Sequence, residues 1–479
     1  MILSPARGRA LLAGVLLAIG ACTHSDFIAG PDAGPHAAFS TTKAQANRVR
    51  PGEAGFVALA ERIPGFGGYA FDADGNLVAF IKGRTTAGDA AARVLLTRLL
   101  DRRRPGLGRQ GGAVVLRTAD FTFAELASWR DRLTDSLLGR GLGVRSTDVD
   151  EATNRVRIGV GGSDARAAVL RAALEAGIPT TALVMEDEGL VEFEGEAVMS
   201  TSGPPYADAP HANGLFYGGM QIKRWTGTEY RGCTLGFYAT KGGITVGVSN
   251  SHCSRDRDSN GGDGTVFTNS ILNLLGSETY DRNHYDWCPT LFSPFRYCRN
   301  ADAMLFTASG TFPVQTLGKV ARYTVLNPGS TVARTYQFID ANNPIVIGAR
   351  TEARSGELVN KAGIATGWTQ GTVTATCKDV EQWVSPIVAG HILRCQHEAN
   401  YGRAGGDSGA PVFSFYQGMA DLKGIHSGSY LQVTGTKVVF SPLSGIEADF
   451  GALGGFPTGG SAYVPPAPGC DPITAIIPC

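Results

Sequence analysis

The sequence predicts a small α+β region followed by a larger all-β region that ends in a helix. Before residue 200, apolar residues recur at helical spacing in several stretches that alternate with strand-like stretches. From residue 215 the pattern changes to short alternating strands punctuated by glycine. The 64 glycines exceed the average share of about 7%, which suits a fold with many tight turns. The all-β part is long enough for a two-barrel fold.

The first unit, residues 51–109, contains two predicted helices around a predicted hairpin. Apolar spacing indicates helices over residues 53–63 and 87–103. Between them, two apolar strands at residues 68–71 and 77–81 flank the turn sequence DADGN. This order predicts a compact α+β unit.

The second unit, residues 110–197, follows the order strand, helix, strand, strand, helix, strand, which is typical of ferredoxin-like α+β domains. Its first helix opens with a capping box formed by Thr122 and Glu125. The unit contains no cysteine and no plausible catalytic cluster. Its predicted elements are strands at 113–117, 143–149, 155–160 and 181–186 and helices at 123–138 and 165–176.

Composition sets the remaining boundaries. Residues 198–214 have few apolar residues and two adjacent prolines, so we expect an exposed linker that is a site of proteolytic processing. Residues 215–455 form the predicted all-β domain, which a helix over residues 443–450 closes. Residues 456–479 are the expected C-terminal tail.

The N-terminus has the pattern of an export signal over residues 1–21. Two arginines precede an apolar stretch that is too short to span a bilayer, which takes about 20 residues. The sequence IGAC at residues 19–22 resembles the lipobox of bacterial lipoproteins and would make Cys22 the lipidated first residue; the alternative is an ordinary secretory signal that is cleaved nearby. Residues 22–50 are the expected linker. The protein is therefore expected in the cell envelope, in the periplasm or at the outer membrane, or secreted after processing.

Charge argues against a nucleic-acid partner. The 479 residues, enough for about three domains, carry 43 Lys plus Arg and 43 Asp plus Glu. A nucleic-acid-binding protein normally shows a basic patch, which a balanced composition gives no reason to expect.

The nine cysteines favour an oxidising compartment. Cys22 set aside, an even number remains, all beyond residue 230. Sequence proximity suggests neighbouring pairs, although it is a weak guide among the many pairings possible. No C-x-x-C or comparable ligand cluster indicates a metal site. The predicted pairs are Cys233–Cys253, Cys288–Cys298, Cys377–Cys395 and Cys470–Cys479.

Three separated segments carry the residue types of a serine peptidase. Residues 405–413 (GGDSGAPVF) place Ser408 between an aspartate and a glycine, His252 offers a base, and Asp302 precedes an apolar run. The order His, Asp, Ser differs from the Ser, Asp, His order of hydrolases with a nucleophile elbow. Ala410 stands where the second glycine of that elbow belongs, which disfavours an esterase. Each residue alone has an ordinary structural explanation, and their combination predicts a catalytic triad.

These segments resemble the chymotrypsin-like serine peptidases of bacteria, in the branch that contains α-lytic protease and the streptogrisins. Residues 233–237 (CTLGF) and 251–253 (SHC) resemble that branch's first barrel, where a disulfide braces the histidine turn. Residues 367–373 (GWTQGTV) resemble a strand of its second barrel, and residues 440–450 resemble its closing helix.

Residues 53–195 resemble the long pro-region of the same branch, with a good match at residues 146–156 (STDVDEATNRV). The resemblance implies a catalytic domain of two six-stranded antiparallel barrels with a C-terminal helix. It also implies a precursor whose pro-region acts as an intramolecular foldase and inhibitor before its removal. A lipobox is unusual among the secreted members.

The resemblance assigns roles to the three residues. Ser408 Oγ attacks a peptide carbonyl, His252 takes its proton and later passes it to the leaving amine, and Asp302 fixes the imidazole tautomer. The backbone N–H groups of Gly406 and Ser408 would hold the oxyanion, worth roughly 3–4 kcal/mol per donor. The chain departs from the family at residues 249–253, where SNSHC replaces TAGHC, and we expect these polar residues to tilt the histidine ring.

Specificity is expected to depend on the segment before Ser408 and on residues 424–429. Gly402 stands where trypsin-like enzymes carry an aspartate, so no preference for Lys or Arg is expected. His426 and Ser429 match residues of glutamate-specific members, in which an imidazolium would pair with the substrate carboxylate. Small or medium apolar substrate side chains, with His426 as a buried strand residue, are the alternative. The predicted pocket residues are Gly402, His426, Ser427, Gly428 and Ser429.

The remaining expectations concern ligands and partners. Residues 256–261 (DRDSNG) imitate the start of a calcium loop, but Phe267 stands where a bidentate glutamate is required, so an exposed polar loop is expected. No cofactor is implied. The expected partners are a protein or peptide substrate, the protein's own pro-region and the membrane through the lipid on Cys22, and a monomer is expected. The alternative function is a catalytically inactive envelope binding protein on a peptidase scaffold.

Overall fold

The structure, a computed structural model, describes the chain between residues 49 and 456 with several gaps. The predicted signal sequence, Cys22 and the predicted tail beyond Phe456 lie outside the described residues. Among the described residues, no helix is both long enough and apolar enough to cross a membrane. The described ranges are 49–103, 112–193, 196–199, 214–256, 261–282, 297–310, 314–323, 343–382, 391–416, 418–432 and 435–456.

The N-terminal sheet has three strands and follows the predicted local patterns. Its region contains α1 (Ala54–Arg62), β1 (Phe66–Phe71), β2 (Leu77–Ile81), α2 (Thr86–Arg103) and β3 (Val114–Thr118). β1 and β2 form the predicted antiparallel hairpin. The carboxylate of Asp72 holds its turn by accepting hydrogen bonds from the backbone N–H groups of Asp74 and Asn76 at 3.0 and 2.9 Å. β3 lies parallel to β2, and the intervening α2 supplies the crossover that parallel strands require.

The next elements form a second layered group. They are α3 (Phe123–Leu137), β4 (Val144–Asp150), β5 (Arg155–Val160), α4 (Ser163–Glu175) and β6 (Leu183–Asp187). The predicted capping box is present at the start of α3, where Thr122 and Glu125 each accept a hydrogen bond from the other's backbone N–H. β4 pairs antiparallel with β5, and β5 pairs parallel with β6.

The ferredoxin-like arrangement expected for this group differs from the structure at its first strand. β3 hydrogen-bonds to β2 in the N-terminal sheet instead of joining β4, β5 and β6. The reason is topological, because the β2–α2–β3 crossover places β3 beside β2, whereas sequence order alone assigned it to the following unit. Asn154 joins the two groups, since its side-chain amide donates to the carbonyls of Gly67 and Phe121 at 2.9 and 2.8 Å.

The remainder is mostly β-structure with a C-terminal helix. Its strands up to residue 308 are β7 (Glu192–Phe193), β8 (Ala197–Met199), β9 (Leu215–Gly218), β10 (Gln221–Trp225), β11 (Tyr230–Thr234), β12 (Phe237–Lys241), β13 (Ile244–Ser249), β14 (Val266–Thr268), β15 (Leu274–Asp281), β16 (Tyr297–Arg299) and β17 (Met304–Ala308). The later elements are β18 (Val314–Val320), β19 (Ile345–Arg350), β20 (Leu358–Gly363), β21 (Gly367–Gln382), β22 (His391–Ala399), β23 (Pro411–Tyr416), β24 (Met419–Gln432), β25 (Gly435–Pro442) and α5 (Leu443–Phe450).

Most strands after residue 214, together with β8, fall into two groups with antiparallel pairing, whereas β16, β9 and β19 pair in parallel with β22, β18 and β24. In the second group, β20, β21, β22, β25, β24 and β23 pair in a closed ring, since β23 also pairs with β20. In the first group, the order is β12–β13–β17–β15–β14–β10–β11–β8, and the described pairings do not close it into a ring. One apolar core packs against both groups and includes the fully buried rings of Tyr217, Phe237 and Phe306.

The elements from α1 to β6 form the N-terminal unit. This unit joins the β-region through a shared sheet. β4 pairs antiparallel with β21, which places Thr147 opposite Asp379. Arg50, near the start of the described chain, is buried and forms ion pairs with Asp131 at 2.7 Å and with Asp379 at 2.6 Å. The N-terminal unit is therefore continuous with the β-region and not tethered to it by a linker alone.

A buried ion cluster lies at the same junction. The Lys378 ammonium donates to Glu188 at 2.7 Å, to Glu398 at 2.8 Å and to the Tyr430 hydroxyl at 2.6 Å. Lys378 and both carboxylate side chains are about 1% exposed. Glu188 follows β6, whereas the other residues lie in β21, β22 and β24. The cluster thus ties the two parts of the molecule together by charge-assisted hydrogen bonds.

Candidate active site

Three separate elements bring His252, Asp302 and Ser408 together. His252 lies in the short 3-10 turn Ser251–Cys253, directly after β13. Asp302 lies between β16 and β17, and β17 pairs with β13, which brings the two residues close. Ser408 lies in the turn that precedes β23.

The distances among the three side chains are those of hydrogen bonds. His252 Nδ1 lies 2.6 Å from an Asp302 carboxylate oxygen, and His252 Nε2 lies 2.8 Å from Ser408 Oγ. The His252 backbone N–H donates to the other Asp302 oxygen at 3.3 Å. Because the carboxylate accepts the Nδ1 proton, Nε2 is left as the acceptor that faces Ser408. This is the geometry that activates a serine hydroxyl by a general base.

Asp302 is fully buried, and its backbone N–H and backbone carbonyl are both hydrogen-bonded to side chains. Its N–H donates to Ser441 Oγ at 3.0 Å, and its carbonyl accepts from the Asn250 side chain at 2.6 Å. Ser441 in turn donates to Gln396 at 2.8 Å. The carboxylate that faces His252 is therefore fixed by groups from β22 and β25, which sequence reasoning did not identify.

The polar residues Ser249 and Ser251 brace the turn that carries His252. Ser249 Oγ donates to the carbonyl of Thr234 at 2.9 Å, and Ser251 Oγ donates to the Asp281 carboxylate at 2.6 Å. The His252 ring nonetheless lies within hydrogen-bonding distance of both its partners. The tilt expected from these polar residues is therefore absent, because each hydroxyl bonds away from the ring.

A disulfide between Cys233 and Cys253 connects the end of β11 to the residue after His252. A second disulfide joins Cys377 to Cys395 across β21 and β22. Of the other predicted pairs, Cys288 and Cys470–Cys479 lie outside the described residues.

A buried ion pair between Asp407 and Lys361 stabilises the turn that carries Ser408. The Asp407 carboxylate accepts from Lys361 Nζ at 2.6 Å and from Thr366 Oγ1 at 2.7 Å, and the backbone N–H of Ala404 donates to it at 3.0 Å. Burial alone would raise the pKa of Asp407, but Lys361 and these hydrogen bonds hold the pKa below its usual range. The carboxylate therefore stays charged and fixes the turn.

Sequence reasoning missed Lys361. The residue lies in β20, whose other residues are mostly buried. Because a lysine is rarely buried without an ion-pair partner, its presence in an apolar strand is the only sequence signal for such a partner. Two of the three glycines at residues 405–409 have positive φ angles, +102° at Gly406 and +84° at Gly409, a conformation that favours glycine. The turn thus needs both the glycines and the ion pair beneath it.

Of the predicted pocket residues, His426 is bonded to this turn, since Gly409 N–H donates to its carbonyl at 2.9 Å. Gly428 and Ser429 are in β24, Ser427 Oγ lies 3.0 Å from Ser441 Oγ, and the Gly402 carbonyl accepts from Thr369 at 2.8 Å. His426 Nδ1 lies 3.1 Å from the Tyr401 hydroxyl.

His426 is uncharged at neutral pH in this structure. Burial first, and then the positive charge of Lys361, lower the pKa of His426 to about 3, although Asp407 acts in the opposite direction. This shift disfavours the imidazolium that recognition of a substrate carboxylate would use, which was one of the two alternatives from the sequence. Any hydrogen bond to a substrate side chain would come from a neutral imidazole.

The region around His252 is crossed by residues from the N-terminal part of the chain. β7 pairs antiparallel with β24, with Glu192 opposite Ser429 and Phe193 opposite Gly428. The Phe193 ring lies on the His252 ring with a centroid distance of 4.6 Å. Beyond residues 194–195, β8 pairs antiparallel with β11. Sequence analysis gave no signal for this placement, which depends on pairing between distant segments.

The calcium-like sequence at residues 256–261 lies partly outside the described residues. In the part of the chain that the structure describes, no group of three or more His, Cys, Asp or Glu residues is arranged to hold a metal ion.

No family model matches the chain, and no curated protein matches it. Solved structures of bacterial serine proteases are similar to about half of it. Thermobifida fusca protease A has a TM-score of 0.33 and 19% identity, over 50% of this chain and 97% of its own. The Nocardiopsis protease has a TM-score of 0.33 and 21% identity, over 50% and 99%. Cellulomonas bogoriensis chymotrypsin has a TM-score of 0.32 and 19% identity, over 51% and 99%.

Proposed function

We propose that the protein is the precursor of an exported serine endopeptidase that cleaves peptide bonds through His252, Asp302 and Ser408. The observation that carries this proposal is the continuous hydrogen-bonded connection from the Asp302 carboxylate through His252 to Ser408 Oγ. A buried carboxylate, an imidazole and a hydroxyl in this sequence form a proton-transfer unit with a nucleophile at its end.

In the proposed reaction, Ser408 Oγ bonds to the substrate carbonyl carbon as its proton moves to His252 Nε2. His252 then donates that proton to the leaving amine as the C–N bond breaks, and water hydrolyses the resulting ester by the same route. Asp302 stabilises the imidazolium formed in each step. The backbone N–H groups of Gly406 and Ser408 are assigned to the oxyanion, since Gly406 adopts the positive φ that such a turn requires.

The N-terminal residues 51–197 are proposed as a pro-region and residues 215–455 as the peptidase domain. Pairing of β7 with β24 and the contact of Phe193 with His252 support an inhibitory role, because they occupy the surface that a substrate strand would use. Pairing of β4 with β21 supports a role in folding, since the pro-region supplies a strand neighbour to the peptidase domain. Export with lipidation at Cys22 remains part of the proposal from the sequence.

The preference for the residue before the cut has two candidates. A pocket with a buried, neutral His426 suits small or medium apolar side chains, while the His426 and Ser429 pair seen in the sequence would suit glutamate through neutral hydrogen bonds. Cleavage of peptide libraries by the processed enzyme, with the residue before the cut varied, distinguishes the two candidate preferences.

Labelling with diisopropyl fluorophosphate tests the proposed function. This small probe, in excess over a long incubation, is expected to modify Ser408 in the wild-type protein, located by peptide mapping. Ser408→Ala should remain unlabelled. Ser414→Ala, which removes a buried hydroxyl that donates to the Leu358 carbonyl, is the matched control and should be labelled as the wild type is. A folded wild-type protein without label on Ser408 would refute the proposal and favour the inactive binding protein.

The stability of the precursor is expected to fall as pH rises from about 4 to 8. Burial raises the pKa of Asp148 from 3.8 to about 8, more than Arg157 lowers it, and burial also raises that of Glu151. The folded state then binds more protons than the unfolded state between these values, so the contribution is full below pH 4 and lost by pH 8.

Thermal unfolding of the Ser408→Ala precursor across this range measures the effect. Asp148→Asn should flatten the dependence and raise the melting temperature at pH 8. Asp74→Asn, at an exposed hairpin turn, should leave the curve unchanged. Equal slopes in the Asp148→Asn variant and its parent would contradict the expectation.

A further inference from the structure

A second buried carboxylate, that of Asp281, lies at the end of the strand next to the candidate triad. Asp281 is the last residue of β15 and lies opposite Met304 in the pairing of β15 with β17. Met304 also lies opposite Ser249 in the pairing of β13 with β17. β13 leads into the turn of His252, and β17 begins two residues after Asp302. The strand register therefore places Asp281 near both of these segments.

One oxygen of the Asp281 carboxylate is bonded to the histidine turn. Ser251, directly before His252 in the chain, is fully buried, and its hydroxyl donates to Asp281 Oδ2 at 2.6 Å. Because the acceptor is a carboxylate, this is a charge-assisted hydrogen bond. β17 lies between β13 and β15 in the sheet, so the bond reaches across one strand. The histidine turn is thus attached to the end of β15.

The other oxygen is connected through Arg299 to the segment that carries Asp302. Arg299 Nη2 donates to Asp281 Oδ1 at 3.1 Å. The same nitrogen donates to the backbone carbonyl of Ala303, the residue after Asp302. Both side chains of the ion pair are fully buried. Since one nitrogen serves both acceptors, the ion pair fixes the Ala303 carbonyl relative to Asp281.

The negative charge of this cluster lies on Asp281 at neutral pH. Glu278, three residues earlier in β15, is also buried. Burial first, and then the charge of Asp281, raise the pKa of Glu278 to about 8. Glu278 is therefore neutral at pH 7, and Asp281 is the carboxylate that pairs with Arg299. Removing one partner of such a buried pair leaves the other charge uncompensated, so the pair resists separation.

We propose that Asp281 is a positioning residue that holds the His252 turn and the Asp302 segment at one separation. It acts through Ser251 on one side and through Arg299 on the other. His252 Nδ1 lies 2.6 Å from the Asp302 carboxylate, and a shift of either segment would lengthen this bond, which sets the imidazole tautomer. The inference rests on the proposed function, because it assumes that His252 activates Ser408.

The first test measures how fast diisopropyl fluorophosphate labels Ser408 in the full-length protein. Asp281→Asn keeps the size of the side chain but removes the charge that pairs with Arg299. We expect labelling to slow about 10–100-fold through lost positioning. Glu357→Gln is the matched control and should be labelled at the wild-type rate. Glu357 is another buried carboxylate of the β-region, paired with Lys423 at 3.6 Å, so its replacement also removes a buried charge.

Proton NMR supplies a readout that a loss of stability alone would not change. The His252 Nδ1 proton, bonded to the Asp302 carboxylate, is expected as a low-field resonance in the wild type. Asp302→Asn, which removes the acceptor, identifies this resonance by its loss. Asp281→Asn should move the resonance upfield, because the hydrogen bond lengthens. Glu357→Gln should leave it in place.

A smaller change tests the same connection if Asp281→Asn does not fold. Ser251→Ala removes only the hydroxyl bonded to Asp281, and labelling should slow about 3–10-fold. Ser414→Ala, which also removes a buried hydroxyl, is its matched control. When Ser251→Ala is combined with Asp281→Asn, the loss should be smaller than the product of the two single losses, because both changes break one connection.

The opposite results would overturn the inference. One is a folded Asp281→Asn protein that is labelled as fast as Glu357→Gln, with its low-field resonance unmoved. Another is Ser251→Ala labelled at the wild-type rate, which decides the matter if Asp281→Asn does not fold. A combined loss equal to the product would show that Ser251 and Asp281 act separately. In each case a labelled wild type leaves the proposed function standing, whereas a folded wild type without label on Ser408 would refute both.

Discussion

Replacing Asp302 with asparagine is expected to lower kcat of the processed enzyme about 10⁴-fold, or about 5 kcal/mol in the barrier. The carboxylate now accepts the proton of His252 Nδ1 at 2.6 Å. An asparagine amide in the same place would donate to Nδ1 and leave the proton on Nε2. That nitrogen, 2.8 Å from Ser408 Oγ, would then be unable to accept the serine proton.

The measurement is steady-state hydrolysis of a peptide substrate, together with the rate at which diisopropyl fluorophosphate labels Ser408. Both should fall in Asp302→Asn, because both need the base. Asp421→Asn is the matched control. Asp421 lies in β24, outside the proposed triad, and its carboxylate accepts from Lys423 in the same strand and from Thr351 after β19, so kcat should stay near the wild-type value. A kcat within tenfold of wild type for Asp302→Asn, with the fold intact, would show that Asp302 does not set the tautomer.

Local patterns predicted the local structure well. The α2 and α3 helices, the β1–β2 hairpin and the capping box at Thr122 depend on residues within a few positions of one another, so their spacing is visible in the sequence. The residues of the proposed triad were identified because each stands in a short motif, although no local pattern indicates that the three side chains lie together.

Pairing between distant segments was not predictable in this way. β3 could join either of two sheets, and only the packing of the α2 crossover decides which. The docking of Phe193 on His252 joins a residue at a predicted domain end to one in another domain. Lys361 was missed because its partner, Asp407, lies 46 positions away. These features depend on long-range contacts, which composition and periodicity do not encode.

The largest loss of stability is expected from Lys378→Met. Removing the ammonium leaves the Glu188 and Glu398 carboxylates buried near each other without the cation that both contact. Breaking a buried ion pair in this way costs about 3–5 kcal/mol. Burial alone would raise the pKa of Glu398, but Lys378, with Lys437, lowers it to about 2, which shows how strongly the cation holds the charged form.

Denaturant unfolding of the full-length Ser408→Ala precursor measures this loss, with Lys437→Met as the matched control. Lys437 contacts Glu398 at 3.0 Å but is 21% exposed, so its removal should cost at most about 1 kcal/mol. The cost of Lys378→Met should shrink as pH falls from neutrality, because burial raises the pKa of a carboxyl group that has lost its cation, so that it becomes neutral above the ordinary carboxylate range. Adding Glu188→Gln and Glu398→Gln should restore part of the loss at neutral pH, since the uncompensated charges are removed. Equal costs for the two lysine variants would mean that the junction between the N-terminal unit and the β-region does not depend on this cluster.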